Sequence, residues 1–228
     1  MSIFGRILFP SSTSVSGWKN FIPALERIRA GKPQAGVESH IAEAVEAIES
    51  ELNLKPFDVQ LLGALAMSNL NLVEMQTGEG KTITAVMTAH AFTRQHGAVH
   101  VLTANDYLAQ RDAEWMGPVY RKLGLSVAFL TQSMPVAERK IAYDADVLYA
   151  TANEVGFDYL HDGLVLQSAD KVQPPYCSCL IDEADSILID EARVPLGHCR
   201  RHSGSRKYGP AVGATCRTTP RGSSFHQG

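Results

Sequence analysis

Between Gly197 and Gly228 the chain has no Asp or Glu, yet it has six Lys or Arg: Arg200, Arg201, Arg206, Lys207, Arg217 and Arg221. Because the whole chain carries −3, this stretch at +6 leaves −9 on the first 196 residues. It is also rich in Gly, Ser, Pro, Thr and His and has no apolar period, the composition of a segment that cannot bury a core. A domain boundary at Leu196, followed by a disordered basic tail over 197–228, is the expectation. Also missing is any run of about 18 apolar residues, so no membrane-spanning helix is predicted. The opening MSIFGRILFPSSTSVSGW contains one Arg and an apolar stretch too brief for the hydrophobic region of a signal peptide, which makes the cytoplasm the expected address. Cysteine is scarce, and Cys177, Cys179, Cys199 and Cys216 include no C-x-x-C pair. Cys177 and Cys179 fall in what reads as a buried strand, which favours structural thiols over a disulfide or zinc site. No internal repeat is visible.

What is present is a globular composition, 45% hydrophobic and 20% charged over 228 residues, enough for one well-buried domain. VESHIAEAVEAIESEL, Val37 to Leu52, sets Val37, Ile41, Ala44, Val45, Ile48 and Leu52 at spacings of three and four, an amphipathic helix with an acidic wet face. FDVQLLGALAMSNL, Phe57 to Leu70, is a second helical stretch. From Asn71 the pattern alternates. The runs LVEM (Leu72 to Met75), VHVLTA (Val99 to Ala104), SVAFLT (Ser126 to Thr131), DVLYAT (Asp146 to Thr151) and CLID (Cys179 to Asp182) read as buried strands. Between them lie longer helical stretches, led by KTITAVMTAHAFTRQ and by DYLAQRDAEWMGPVYRKL, the latter expected to bend or break at Gly117-Pro118. The alternation predicts an α/β fold with a mainly parallel sheet covered by helices on both faces. Three parts follow: an N-terminal helical segment over 1–54, a nucleotide-binding domain over 55–196 and the tail over 197–228.

In such a sheet ligands sit beyond the carboxyl ends of the strands, and two motifs fall there. EMQTGEGKTITA, Glu74 to Ala85, nearly spells the phosphate loop G-x-x-x-x-G-K-[ST], with Met75 where the first glycine belongs. Gly78 and Gly80 let the backbone curl so that N–H groups meet phosphate oxygens, reinforced by the positive end of the following helix. Lys81 would reach the β- and γ-phosphates and the Thr82 hydroxyl would ligate Mg²⁺. The second motif is LIDEAD, Leu180 to Asp185. A buried strand ending in two carboxylates is unfavourable unless they have a cation or a proton to manage. Asp182 is suited to hold Mg²⁺ through water, and Glu183 to deprotonate an attacking water. The simpler reading, that both merely cap the next helix, loses ground because the two motifs stand in the expected order. Gln60 has an amide able to pair with both N6 and N7 of adenine, although on spacing alone it is as well read as a solvated helix residue.

With these residues assembled, the chain resembles the SecA family, the motor ATPases of bacterial preprotein translocation. FDVQLLG (Phe57 to Gly63), TGEGKT (Thr77 to Thr82), TANDYLAQRD (Thr103 to Asp112), GFDYL (Gly156 to Leu160) and LIDEADSILIDEARVPL (Leu180 to Leu196) are similar to successive segments of its first nucleotide-binding domain. A methionine before the loop also fits that family. The resemblance implies a RecA-like fold, ATP and Mg²⁺ as cofactors, nucleotide contacts from Gly78, Glu79, Gly80, Lys81 and Thr82, and an adenine-reading role for Gln60. It implies as partners a membrane translocation channel, preproteins and anionic lipids, and a peripheral place at the inner face of the cell membrane. In motors of this family ATP lies between two RecA-like domains, the second supplying an arginine. The 228-residue chain alone is therefore expected to bind ATP weakly and to hydrolyse little, and a nucleotide-binding remnant without turnover is the alternative.

The rival family is the DEAD-box nucleic-acid helicases, since Asp182 to Asp185 literally read DEAD. Those helicases carry Pro-Thr-Arg-Glu-Leu-Ala and Thr-Pro-Gly-Arg type segments where this chain has TANDYLAQRD and TANEVGFDYL, and a −9 core is a poor surface for a phosphate backbone. Two departures from the SecA pattern stand out. The helices before Phe57 are shorter and different, and after Leu196 the sequence GHCRRHSGSRKYGP replaces the family's apolar strand, as translation in another reading frame would. A truncated or frameshifted product is the expectation. The tail's charge would attract anionic headgroups at up to about 1 kcal/mol per basic residue, whereas the spacing of His198, Cys199 and His202 fits no zinc pattern.

Overall fold

The structure is a computed structural model and describes residues 7–8, 17–175 and 178–190. Helices α1 (Ile22–Arg29), α2 (Val37–Leu52) and α3 (Asp58–Ser68) come first. Then follow α4 (Lys81–His96), strand β3 (Val99–Thr103), α5 (Asp106–Lys122), β4 (Val127–Phe129), α6 (Val136–Tyr143), β5 (Val147–Thr151), α7 (Ala152–Asp162) and β6 (Ser178–Ile181). Two short strands, β1 (Ile7–Leu8) and β2 (Leu72–Val73), stand apart.

Four strands form a parallel sheet in the order β4-β5-β3-β6, with Val99 opposite Val147 on one side and Ser178 on the other. The central strands β3 and β5 are buried almost throughout, as strands covered on both faces are. Their residues alternate between two cores. Val99, Val101, Val147, Tyr149 and Leu180 join one shared with Ile41 and Ile48 of α2, Leu61 and Leu65 of α3, Met87 of α4 and Met116 of α5. Leu148 and Ala150 turn the other way, to Ala142 and Tyr143 of α6 with Val155 of α7 packed alongside. The sheet is thus flanked by helices on both faces, consistent with a RecA-like domain. The described residues before 55 share the first core, since α2 packs on both α4 and α5.

Three expectations are corrected. LVEM does not join the parallel sheet: Leu72–Val73 pairs antiparallel with Ile7–Leu8, and Leu72 is 55% exposed. The reason is that the run lies over α3. A Cβ added at Gly63 would meet Met75 Sδ at 3.4 Å and Val73 Cγ1 at 3.7 Å, so alternate side chains turn inward while Leu72 and Glu74 face water. Helix α5 is not interrupted at Gly117-Pro118 but runs on to Lys122. Its buried Ala113, Met116, Val119 and Tyr120 hold it to the core, which outweighs the roughly 3 kcal/mol that an interior proline costs. Cys179 is exposed on β6 rather than buried, whereas Cys177 and the whole of 191–228, including the expected boundary and tail, lie outside the described residues.

On the α6–α7 side the core contains a charge cluster. Arg139, 3% exposed, donates from Nε to Asp158 Oδ2 at 2.9 Å, from Nη2 to Glu154 Oε2 at 2.6 Å and from Nη1 to the Thr131 carbonyl at 3.1 Å. The Tyr143 hydroxyl donates to the same Asp158 oxygen at 3.0 Å. Asp158 belongs to the GFDYL motif, so that motif's acid holds two helices together. Replacing Arg139 by Met strands two buried carboxylates and should remove about 3–5 kcal/mol of stability, the scale for breaking one side of a buried pair. Urea unfolding followed by circular dichroism reads this directly, and adding Glu154→Gln and Asp158→Asn to the same variant should recover part of the loss.

Candidate nucleotide site

The loop leaves β2 at Glu74 and enters α4 at Lys81. Gly78 and Gly80 have φ of 88° and 83°, the left-handed region that glycine adopts without strain. The loop closes on itself: Glu79 N–H donates to the Gln76 carbonyl at 3.2 Å, and Gln76 N–H donates to Glu79 Oε2 at 2.8 Å. Glu79 therefore shapes the loop with its side chain. Helix α4 starts at Gly80 with no side chain accepting from its first turn, whereas Asn105 caps α5 and Thr151 caps α7. Ile83 and Thr84 N–H turn back to the Gly80 carbonyl, which leaves the Lys81 and Thr82 N–H groups for another acceptor, and an anion is the acceptor that such a terminus suits.

Gln60 sits underneath. It is 3% exposed, so the solvated-helix reading is excluded. Its Oε1 accepts from Phe57 N–H at 2.9 Å and its Nε2 donates to the Glu79 carbonyl at 2.8 Å. One amide thus caps the start of α3 and anchors the loop. A side chain at Gly80 would collide with Gln60 Nε2, so glycine is required there by space as well as by φ. Met75, in place of the first glycine of the pattern, is buried and packs against Gly63 of α3.

Across the loop, β6 delivers the acidic pair. Asp182 N–H donates to the Leu102 carbonyl at 2.9 Å, which continues the β3–β6 ladder one residue past the strand and fixes where the carboxylate stands. Glu183 N–H donates to Asp182 Oδ1 at 3.1 Å, and Glu183 has φ 57°, a left-handed backbone on a residue with a side chain. Such strain is sparse in proteins and gathers at functional sites. Desolvation pushes the Asp182 carboxyl above its usual range, the Glu183 charge adds to that, and the Lys81 charge opposes it. Lys81 and Asp182, 101 positions apart in the chain, therefore share one electrostatic field. Thr82 follows Lys81 in the first turn of α4. A desolvated carboxylate beside a second carboxylate is the donor set that a hard divalent cation suits.

A residue without an assigned role also bears on the site. Asp112, buried on α5 and paired with Arg111 at 2.6 Å, adds its negative charge to those raising Asp182. It lies in TANDYLAQRD, where only the motif string marked it. Asn105 of the same string serves as the α5 cap, its Oδ1 accepting from Leu108 N–H at 2.9 Å.

Comparison with known proteins places this arrangement in a family. The family model described as SecA DEAD-like domain matches residues 23–211. The protein translocase subunit SecA 2 of Mycobacterium sp. (strain KMS) is 51% identical over 172 residues, covering 75% of this chain and 22% of that protein. The protein translocase subunit SecA 2 of Mycobacterium tuberculosis (strain ATCC 25618 / H37Rv) is 48% identical over 187 residues, 82% of this chain and 22% of the relative. The protein translocase subunit SecA of Mycobacterium avium (strain 104) is 48% identical over 185 residues, with 81% and 22% covered. The chain thus spans about a fifth of the length of these relatives. Helix α2, all of α1 but its first residue, the phosphate-type loop and the acidic strand end lie inside the family match, and the chain belongs to the SecA family through its DEAD-like domain.

Proposed function

We propose that this chain is the ATP-binding motor domain of a SecA-type protein translocase, with ATP and Mg²⁺ bound between the loop 76–82 and the end of β6. The observation that carries this reading is the loop's geometry: Gly78 and Gly80 in the left-handed region, the loop closed by Glu79 on Gln76, and Lys81 opening α4 directly after it. The Lys81 charge acting on the desolvated Asp182 at the end of β6 supports it. Lys81 and the uncapped N–H groups of α4 would take the phosphates, Thr82 and Asp182 the Mg²⁺, and Mg²⁺ would supply charge neutralisation on the transferred phosphoryl group. Glu183, exposed and next to Asp182, would orient and deprotonate the attacking water. Gln60 would read adenine with the hydrogen-bonding capacity left over after Phe57 and Glu79. The larger activity is coupling of hydrolysis to protein export, with a membrane channel, preproteins and anionic lipids as partners and a peripheral, cytoplasmic place at the membrane. No helix of the described residues is long and apolar enough to cross a bilayer. For the isolated chain we infer nucleotide binding with little turnover, since Glu183, which would act as base, is open to water.

Three measurements test the site. Charge-assisted hydrogen bonds are worth about 1.5–3 kcal/mol each, so Lys81→Ala should weaken a fluorescent ATP analogue at least about tenfold; equal affinity of variant and parent overturns the reading. Steady-state phosphate release by the chain with Mg²⁺ should stay well below about 1 s⁻¹, the low end for ordinary enzymes. Glu183→Gln should remove the residual Mg²⁺-dependent part while changing analogue affinity only a few-fold. The third reads the desolvated acid. A carboxyl raised in the folded state favours the protonated form, so the charge on Asp182 opposes folding above its raised pKa, and that opposition vanishes as pH falls through it to the ordinary carboxylate range. In metal-free protein Asp182→Asn should therefore raise the melting temperature at neutral pH, and the difference should fade on acidification.

A further inference from the structure

We propose a second cation site, separate from the nucleotide site, in which His40, Glu43 and His90 hold one divalent transition-metal ion of the zinc class between α2 and α4. His40 and Glu43 lie one turn apart on α2, and His90 faces them from the middle of α4. His90 Nε2 is 3.0 Å from Glu43 Oε2, and His40 Nδ1 is 4.0 Å from the same oxygen. The three ligand atoms all lie within 4.8 Å of one another, and the two imidazoles stand perpendicular with centroids 6.0 Å apart.

Tetrahedral zinc with bonds of about 2.0–2.1 Å sets its ligand atoms roughly 3.3 Å apart. Of the three separations, His90–Glu43 at 3.0 Å is already there, and His40–Glu43 at 4.0 Å closes through a small rotation of Glu43, whose side chain is 48% exposed. The His40–His90 separation, within 4.8 Å, closes through a turn of the part-exposed His40 ring. A hydrogen bond between His90 and Glu43 accounts for that pair alone. It leaves His40 Nδ1 buried, without a hydrogen-bond partner, and turned to the same carboxylate. An ion inside the triangle takes that lone pair. His90 Nδ1 is unpaired in either arrangement, so the weight rests on His40.

The chemistry of the ligands fits the same ion. Two imidazoles and one carboxylate suit zinc and its first-row neighbours better than Mg²⁺ or Ca²⁺, and water completes the fourth position. His90 is fully buried and presents Nε2 to the gap beside Glu43. Arg94, one turn further along α4, acts on His90 and limits the affinity. The exposed Glu43 provides the way in. An ion here would clamp α2 to the helix that begins at Lys81.

The test is titration of the metal-free, full-length chain with Co²⁺ and then Zn²⁺, alongside His40→Ala and Glu43→Gln. Both positions are at least partly exposed, and circular dichroism checks that each variant keeps its fold. The parent should bind one equivalent of Co²⁺ with the intense visible bands of a tetrahedral site and without thiolate-to-cobalt charge transfer. Zn²⁺ should displace the Co²⁺ and raise the melting temperature. Losing a residue that merely supports a ligand already weakens a site by about 10- to 100-fold, so each variant should lose at least that much affinity and the thermal gain. Absence of binding, equal affinity of parent and variants, or a thiolate band that assigns the ion to cysteines would each overturn the proposal.

Discussion

The side-chain amide of Gln60 holds the site in register. Its oxygen accepts from Phe57 N–H and its nitrogen donates to the Glu79 carbonyl, so the first turn of α3 and the crest of the loop cannot move independently. A buried amide pays for its desolvation only when both ends are satisfied, and here each end is bonded to a different element. The absence of a side chain at Gly80 follows from this, because that amide fills the space a Cβ would need. So does the exit of the chain into α4, whose first carbonyl, that of Gly80, accepts from Ile83 and Thr84 N–H at 3.1 and 3.2 Å.

The acidic half is fixed by a different device. Parallel pairing of β3 with β6 runs from Val99 opposite Ser178 to Leu102 opposite Ile181, and one further bond into Leu102 holds Asp182 at the strand end. The register of a sheet thus sets where a carboxylate stands relative to a lysine that begins a helix elsewhere. Asp182 stands just past the carboxyl end of β6, the side of an open α/β sheet on which ligands are expected.

Much of the fold was legible because its signals are local. The spacing of Ile41, Ala44, Val45 and Ile48 gave α2 with its observed ends, and the apolar runs around Val101 and Tyr149 are the two central strands. Loop and acidic motif were legible as strings. What failed depends on partners distant in sequence. LVEM looks like a buried strand until α3 is seen to cover only one side of it, and Pro118 looks like a break until the burial of Met116 and Val119 is counted. Gln60 could be placed near the loop only through the family resemblance, since nothing in its spacing announces a bond to Glu79. Asp112 and the ring of acids around Arg139 are invisible in one dimension for the same reason. Each is polar at a helical position, and only packing tells a core ion pair from a wetted face.

Helix α4 is buried on nearly every side. From Thr84 to Phe92 only Ala85 is not fully buried, and the helix touches α2, α3, α5, β3 and β6. A rod enclosed in this way has no soft face along which to yield. Close-packed interiors compress little and transmit strain, so a load imposed at the Lys81 end passes into the elements that enclose 84–92 as well as along the helix. The mechanical character of the domain is set by this enclosure: α4 acts as a strut, and its stiffness belongs to the neighbours that confine it more than to its own hydrogen bonds.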